Sequence, residues 1–159
     1  MENVLEINGL SKHYGRIKAV DQLNLTIPKG KVFGILGPNG SGKTTTLGMI
    51  LDVINPTSGS LSWFGEGNSH QLRKRIGAIL ETPIFYPYMS GYDNLRVVCK
   101  IKEVENTEER IAKVLKVVNL EERAIDKFTT YSLGMKQRLA IASALLADPE
   151  VLIFDEPTN

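Results

Sequence analysis

Hydrophobic and polar positions change period several times along the chain, and each change marks an element. Val4, Leu5, Glu6 and Ile7 alternate as a half-buried strand does. Asn8-Gly9 predicts a turn, and a second strand is expected near 17–20. Leu23, Leu25 and Ile27 alternate with Asn24 and Thr26, a period-two strand. Pro28-Lys29-Gly30 turns the chain into the apolar run 31–36, which predicts a short buried strand. A helix is expected over 44–51, and Asn55-Pro56-Thr57-Ser58-Gly59 breaks the chain. Residues 60–64 predict another strand, ended by Gly65. Ser69 is placed to cap a short helix through Arg73, and 76–80 predict a buried strand ending at Glu81-Thr82-Pro83.

Beyond Thr82 the pattern becomes helical. Phe85, Tyr86 and Tyr88 crowd one short stretch, open to two readings: a docking surface for a partner, or local packing. Ser90 can cap a helix running to about Lys102. Thr107-Glu108-Glu109 opens another, with acids where the helix dipole favours them and Ile111, Val114, Leu115 and Val118 on one face. A further helix spans about 134–146, and Asp148-Pro149 ends it. Residues 151–154 form a last apolar run before Asp155-Glu156. Strands flanking a helical insert predict an α/β fold. Its core would be built from 1–81 and 147–159, with an antiparallel β part at the N-terminus and a helical subdomain over 82–146.

Composition narrows the class. With 159 residues, 42% of them hydrophobic and 23% charged, the chain suits one domain with a packed core. The formal net charge is +1 with no basic block, so no nucleic-acid surface is expected. Cys99 is the single cysteine, so no internal disulfide can form and a reducing compartment fits. The start, MENVLEINGL, lacks a basic region followed by a long apolar run, and no run approaches bilayer-spanning length. Any membrane span is therefore expected from another chain. His13, His70 and Cys99 show no metal-ligand spacing.

The chemistry concentrates in GPNGSGKT, residues 37–44. A glycine, four free positions and Gly-Lys-Thr, between an expected strand and an expected helix, form a phosphate-binding loop. Gly37, Gly40 and Gly42 let the backbone turn without a Cβ in the way of a ligand. With Pro38, Asn39, Ser41 and Thr45 they shape a nest of N–H groups at a helix N-terminus. Lys43 can reach the β- and γ-phosphates, and the Thr44 hydroxyl can bind Mg²⁺. The loop on its own leaves the use of the nucleotide open.

Two further stretches specify that use. Four apolar residues followed by Asp155-Glu156 match a Walker B strand, with Asp155 toward Mg²⁺ and Glu156 beside the attacking water. Tyr131-Ser132-Leu133-Gly134-Met135-Lys136-Gln137-Arg138 resembles the LSGGQ signature of ABC-type ATPases, with Leu133 for the first glycine and Met135 for the glutamine. The resemblance covers essentially the whole chain.

It implies a RecA-like ABC ATPase core of the P-loop NTPase class. ATP and Mg²⁺ would be the ligands, with Lys43, Glu156 and Glu81 in the catalytic set and Thr44, Glu81 and Asp155 toward the metal. Tyr14 stands at the adenine-stacking position. Glu81 stands where the family has its Q-loop glutamine; with Ile-Leu-Glu-Thr-Pro and Phe-Tyr-Pro around it, the chain looks like the bacitracin and lantibiotic export or immunity branch. Residues 132–135 would close on ATP held by a second ATP-binding subunit in a head-to-tail dimer. Transmembrane permease subunits would be partners, at the cytoplasmic face of the cell membrane. The activity implied is ATP hydrolysis coupled to export of a peptide antibiotic or other amphipathic compound. A soluble ABC ATPase acting on ribosomes or DNA carries the same motifs and stays open at this point.

In the family a D-loop and a switch histidine follow the Walker B strand, and neither falls within 1–159. The resemblance therefore implies an N-terminal piece of a longer ATPase, truncated after the Walker B strand. Such a piece is expected to hydrolyse ATP poorly by itself, and to be weakly stable or self-associating through open sheet edges.

Overall fold

The computed structural model describes residues 2–80 and 85–155. The chain divides into two compact units, Met1–Arg73 and Lys74–Asn159.

The first unit is built on a three-stranded antiparallel sheet in the order β2-β1-β3: β1 (Asn3–Tyr14), β2 (Ile17–Pro28) and β3 (Ser58–Trp63). Where the pattern predicts three short strands, at 4–7, near 17–20 and at 23–27, with a turn at Asn8-Gly9, the chain makes two long strands instead. The irregular positions are bulges. Register shifts fall between Ile7 and Leu10, Leu10 and Lys12, and Lys12 and His13. Gly9 has φ +58° and Gln22 on the opposite strand has φ 51°. A bulge frees backbone N–H groups from the ladder, and each must find another acceptor. Gly9 N donates to Asn24 Oδ1 at 2.8 Å, Gln22 N to the buried Ser11 Oγ at 2.9 Å, and His13 N to Thr57 Oγ1 at 3.0 Å.

Helix α1 (Lys43–Ile50) packs on this sheet through Thr46, Leu47, Gly48, Met49 and Ile50, all buried. Trp63 ties its end down: the indole N–H donates to the Ile50 carbonyl at 3.0 Å, satisfying one of the acceptors every helix C-terminus leaves open. The expected strand over 31–36 does not form. Val32 and Leu36 stand almost fully exposed. The sheets of the described residues hold no strand beside this run, and an apolar run with nothing to pair with has no ladder to join.

The second unit pairs β4 (Ile76–Ile79) in parallel with β5 (Val151–Phe154). The short helix α2 (His70–Arg73) ends the first unit, with Ser69 at its start as expected; Leu72 N donates to Ser69 Oγ at 3.4 Å. Three longer helices follow: α3 (Gly91–Lys102), α4 (Thr107–Val117) and α5 (Leu133–Leu145). Two single 3₁₀ turns, Glu121–Arg123 and Phe128–Thr130, join α4 to α5. The α4 face is as expected: Ile111, Val114, Leu115 and Val118 are buried with Leu95, Leu139 and Leu146 in one cluster. Helix α5 lies directly on β4. A Cβ built on Gly77 would stand 2.5 Å from the Ala144 carbonyl oxygen, so the strand can carry only glycine there.

The aromatic stretch splits its two readings. Phe85 packs into the core, its ring 5.2 Å from that of Phe128, while Tyr86 and Tyr88 are exposed. Buried Asn94 holds the backbone beneath them. It accepts from Tyr86 N at 2.7 Å and donates to the carbonyls of Tyr86 and Ser90 at 3.1 and 2.9 Å. Truncating Asn94 leaves the part-buried N–H and carbonyl of Tyr86 without this partner, and an unsatisfied buried group typically costs about 1–3 kcal/mol. Asn94→Ala should therefore lower the unfolding free energy by that amount, seen as a lower denaturant midpoint with the slope unchanged; an unmoved midpoint would contradict this assignment.

Candidate functional site

The loop at 37–44 takes its shape from contacts the sequence alone does not show. Ser41 N donates to the Pro38 carbonyl at 3.2 Å, closing the bend. Gly40 and Gly42 have φ +81° and +87°, a region where a side chain is strained. Gly42 is the N-cap of α1, and its carbonyl accepts from Thr46 N at 2.8 Å. A Cβ on Gly42 would stand 2.3 Å from the Ala19 carbonyl oxygen and 3.1 Å from Val20 Cγ2. The loop is thus pressed onto β2, and only glycine allows it.

Lys43 folds back over the bend, its Nζ donating to the carbonyls of Gly37 and Pro38 at 2.9 and 3.1 Å. Asn39, Gly40, Ser41 and Thr44 are exposed, and Thr45 is half-buried on the first turn of α1. Among the described residues no hydrogen bond occupies the N–H groups of Gly40, Gly42 or Lys43. Those of Gly42 and Lys43 are orphan donors of a helix start, that of Gly40 belongs to the turn before it, and the Lys43 ammonium adds a positive charge. The arrangement fits an anion with several oxygens.

Tyr14 ends β1 at a two-residue hairpin turn, Gly15-Arg16, and pairs with Ile17. It is 49% exposed. Two strand positions connect it to the loop: Lys12 pairs with Val20, and Val20 touches Gly42. Composition gives no hint of this link; the Lys12-x-Tyr14 spacing, which puts two side chains on one strand face, is the signal that could have found it. Beside Tyr14, the Lys18 ammonium and then His13 hold the Asp21 carboxyl below its ordinary range, burial opposing them.

In the second unit, Ser132 caps α5, its Oγ accepting from Met135 N at 3.3 Å. Leu133 is exposed, Met135 is buried and Gly134 faces open space, with no atom within 4 Å of a built Cβ. Arg138 braces the neighbouring helix end, donating to the carbonyls of Val118 and Asn119 at 3.3 and 3.0 Å. Tyr131 is buried just before the cap and donates its hydroxyl proton to the Arg123 carbonyl at 2.7 Å. Burial pushes that hydroxyl's pKa up, Asp126 adds to the rise and Arg123 opposes it.

Asp155 directly follows β5, its N–H donating to the Ile79 carbonyl at 2.9 Å. Glu81 and Glu156 lie outside the described residues. A cavity of about 410 Å³ sits at the other end of β4 and β5, lined by Arg75, Lys102, Arg110, Asp148 and Glu150 among others. The Arg75–Glu150 and Arg110–Asp148 pairs neutralise much of its charge. Among the described residues no group of three His, Cys, Asp or Glu side chains could hold a metal, and no helix is long and apolar enough to cross a membrane.

The sequence matches the family described as ABC transporter over residues 20–159. The chain belongs to the ABC transporter family. It is 44% identical over 162 residues to the bacitracin transport ATP-binding protein BcrA of Enterococcus faecalis, covering 100% of this chain and 52% of that protein. It is 41% identical over 159 residues to the lantibiotic transport ATP-binding protein SrtF of Streptococcus pyogenes, covering 98% of this chain and 67% of that one. Among solved structures, an ATP-binding subunit of an ABC transporter superposes with a TM-score of 0.86 at 28% identity, covering 98% of this chain and 67% of that one. CbiO1 from Clostridium perfringens, part of the transporter complex cbiONQ, gives a TM-score of 0.86 at 27% identity over 99% of this chain and 67% of its own.

The α/β ABC ATPase fold and the likeness to the bacitracin and lantibiotic branch, both expected from the motifs, are borne out. This ABC family chain spans about half, 52%, of the length of its bacitracin relative.

The Gly42 contact gives a direct check. Gly42→Ala meets both a positive φ and a backbone oxygen, and overpacking of this kind typically costs about 1–3 kcal/mol. The variant should unfold at lower denaturant and lose affinity for inorganic tripolyphosphate; wild-type values of both would contradict the packing described.

Proposed function

We propose that this chain is the ATP-binding part of a transporter subunit, and that its cargo is a peptide antibiotic or another amphipathic compound. The observation that carries the reading is the bend at 37–44, where N–H groups without an acceptor among the described residues and the Lys43 ammonium lie together at the start of α1. The cargo class is supported by the bacitracin and lantibiotic transport named for the two relatives.

Within this reading Lys43 releases the Gly37 and Pro38 carbonyls and turns to the β- and γ-phosphates. The N–H groups of the bend hold the phosphate oxygens, and Tyr14 stacks on the adenine ring. The Thr44 hydroxyl and the Asp155 and Glu81 carboxylates are hard oxygen donors of the kind magnesium takes. Bound by them, magnesium would offset negative charge on the phosphates. Glu156 orients or deprotonates the attacking water.

Residues 132–135 are assigned to the ATP of a second ATP-binding subunit arranged head to tail. Gly134 supports this. A glycine inside a helix costs about 0.5–1 kcal/mol relative to alanine, yet among the described residues nothing excludes a Cβ there. What demands the glycine is then a surface that approaches from outside. Exposed Tyr86 and Tyr88 are assigned to permease subunits, and the protein to the cytoplasmic face of the cell membrane as part of the same proposal. The core of 1–81 with 147–159, and the helical part of 82–146, belong to the same proposal.

Two substitutions test these roles. Lys43→Ala should abolish measurable ATP binding in a calorimetric titration, and unchanged affinity would refute its role. Gly134→Ala should raise thermal stability by the equivalent of about 0.5–1 kcal/mol while reducing ATP-driven dimerisation and turnover at least tenfold in the full-length subunit. Full turnover in the alanine variant would remove Gly134 from the site.

A further inference from the structure

Tyr14 is held by more than its strand. Lys12 lies two positions earlier on β1, so the two side chains share a face. Its Nζ stands 5.1 Å from the Tyr14 ring centroid, inside the distance at which a ring quadrupole attracts a cation. The same Nζ donates to the Asn55 carbonyl at 2.6 Å. Asn55 belongs to the segment between α1 and β3, and that segment is fastened to β1 twice more. Thr57 N donates to the Ser11 carbonyl at 2.7 Å, and His13 N donates to Thr57 Oγ1 at 3.0 Å. The ammonium is therefore pinned by a carbonyl on a fixed segment, and the ring rests against the ammonium.

We propose that Lys12 is a positioning residue for nucleotide binding: it occupies one face of the Tyr14 ring and thereby sets the plane on which the base of a nucleoside triphosphate stacks at the other face. The proposal rests on the reading of Tyr14 given above and deepens it. Two features make the pinning matter. Tyr14 lies next to a hairpin turn, and it is half exposed, so without a partner its side chain samples several rotamers and stacking must pay for ordering it. Lys12 also pairs with Val20, which touches the phosphate-loop glycine, so the ammonium references the ring to the bend that holds the phosphates. Lys12 does not itself touch the reacting atoms.

The test compares affinities of the chain for Mg·ATP and for magnesium tripolyphosphate, which has no base to stack. Lys12→Gln keeps a donor for the Asn55 carbonyl and removes the cation. It should weaken ATP binding about two- to fivefold, the range an exposed cation–aromatic contact supplies, and leave tripolyphosphate affinity unchanged. Lys12→Arg should restore ATP affinity. In a Tyr14→Ala background, Lys12→Gln should cause no further loss, since the two residues act as one unit.

Wild-type ATP affinity in Lys12→Gln, with Tyr14→Ala still weakened, overturns the proposal and leaves Tyr14 in place. An equal loss for ATP and tripolyphosphate, or a further loss in the Tyr14→Ala background, overturns it too, because Lys12 would then act on the phosphates directly or through the fold. Unchanged ATP affinity in Tyr14→Ala removes the reading of Tyr14 as well. Should Lys12→Gln fail to fold, Lys12→Met and Lys12→Arg carry the same comparison.

Discussion

One contact governs the first unit: the Gly42 backbone lies against the Ala19 carbonyl, at a spacing that leaves no room for a Cβ. That contact seats the start of α1 on β2. Everything the loop does follows from it. A bend with positive φ at Gly40 and Gly42 presents donors that no acceptor among the described residues uses, and Lys43 donates to two loop carbonyls. The cost of such a loop is carried by the packing of α1, whose buried face and Trp63 bond hold the helix in register with the sheet. Rigid scaffold below and unsatisfied backbone above is the arrangement that makes a loop a binding site.

The second unit repeats the device at lower stringency. Gly77 lets α5 lie against β4, and Ser132 starts that helix. Tyr131 and Arg138 fix its first turns to neighbouring segments through backbone carbonyls. The residues at the helix start divide by role. Met135 is spent on the core, whereas Leu133 and Gly134 face outward. This explains why a signature with Met in place of glutamine still forms a stable helix start: the departure falls on the position that packs inward. Leu133, the other departure, is exposed, and nothing in the packing explains the choice of leucine there.

Much of the site was legible from sequence because it depends on local chemistry. GPNGSGKT, the Ser90 and Ser132 caps, and the apolar face of α4 all rest on spacing and side-chain type, and spacing survives folding. What was not legible depends on long-range partners. Residues 31–36 have the composition of a buried strand, yet a strand is made by its neighbour and none lies beside it among the described residues. Asn8-Gly9 has the composition of a turn, but Asn24 and Ser11 supply acceptors that let β1 bulge and continue. Phe85 and Tyr86 are adjacent and similar in type, and only the position of Phe128 decides that one is core and the other is surface. Lys12 carries no signal of its anchor for the same reason: a carbonyl 43 residues away in sequence cannot be inferred from its own neighbourhood.

The central claim is that main-chain N–H groups of the bend grip the triphosphate. It is tested most directly by amide chemical shifts in a ¹⁵N-labelled chain titrated with magnesium and a non-hydrolysable ATP analogue. The account predicts the largest saturable shifts at the amides of Gly40, Gly42, Lys43 and Thr44, with slowed hydrogen exchange at the same positions. Saturable binding that leaves those four amides unmoved would contradict it.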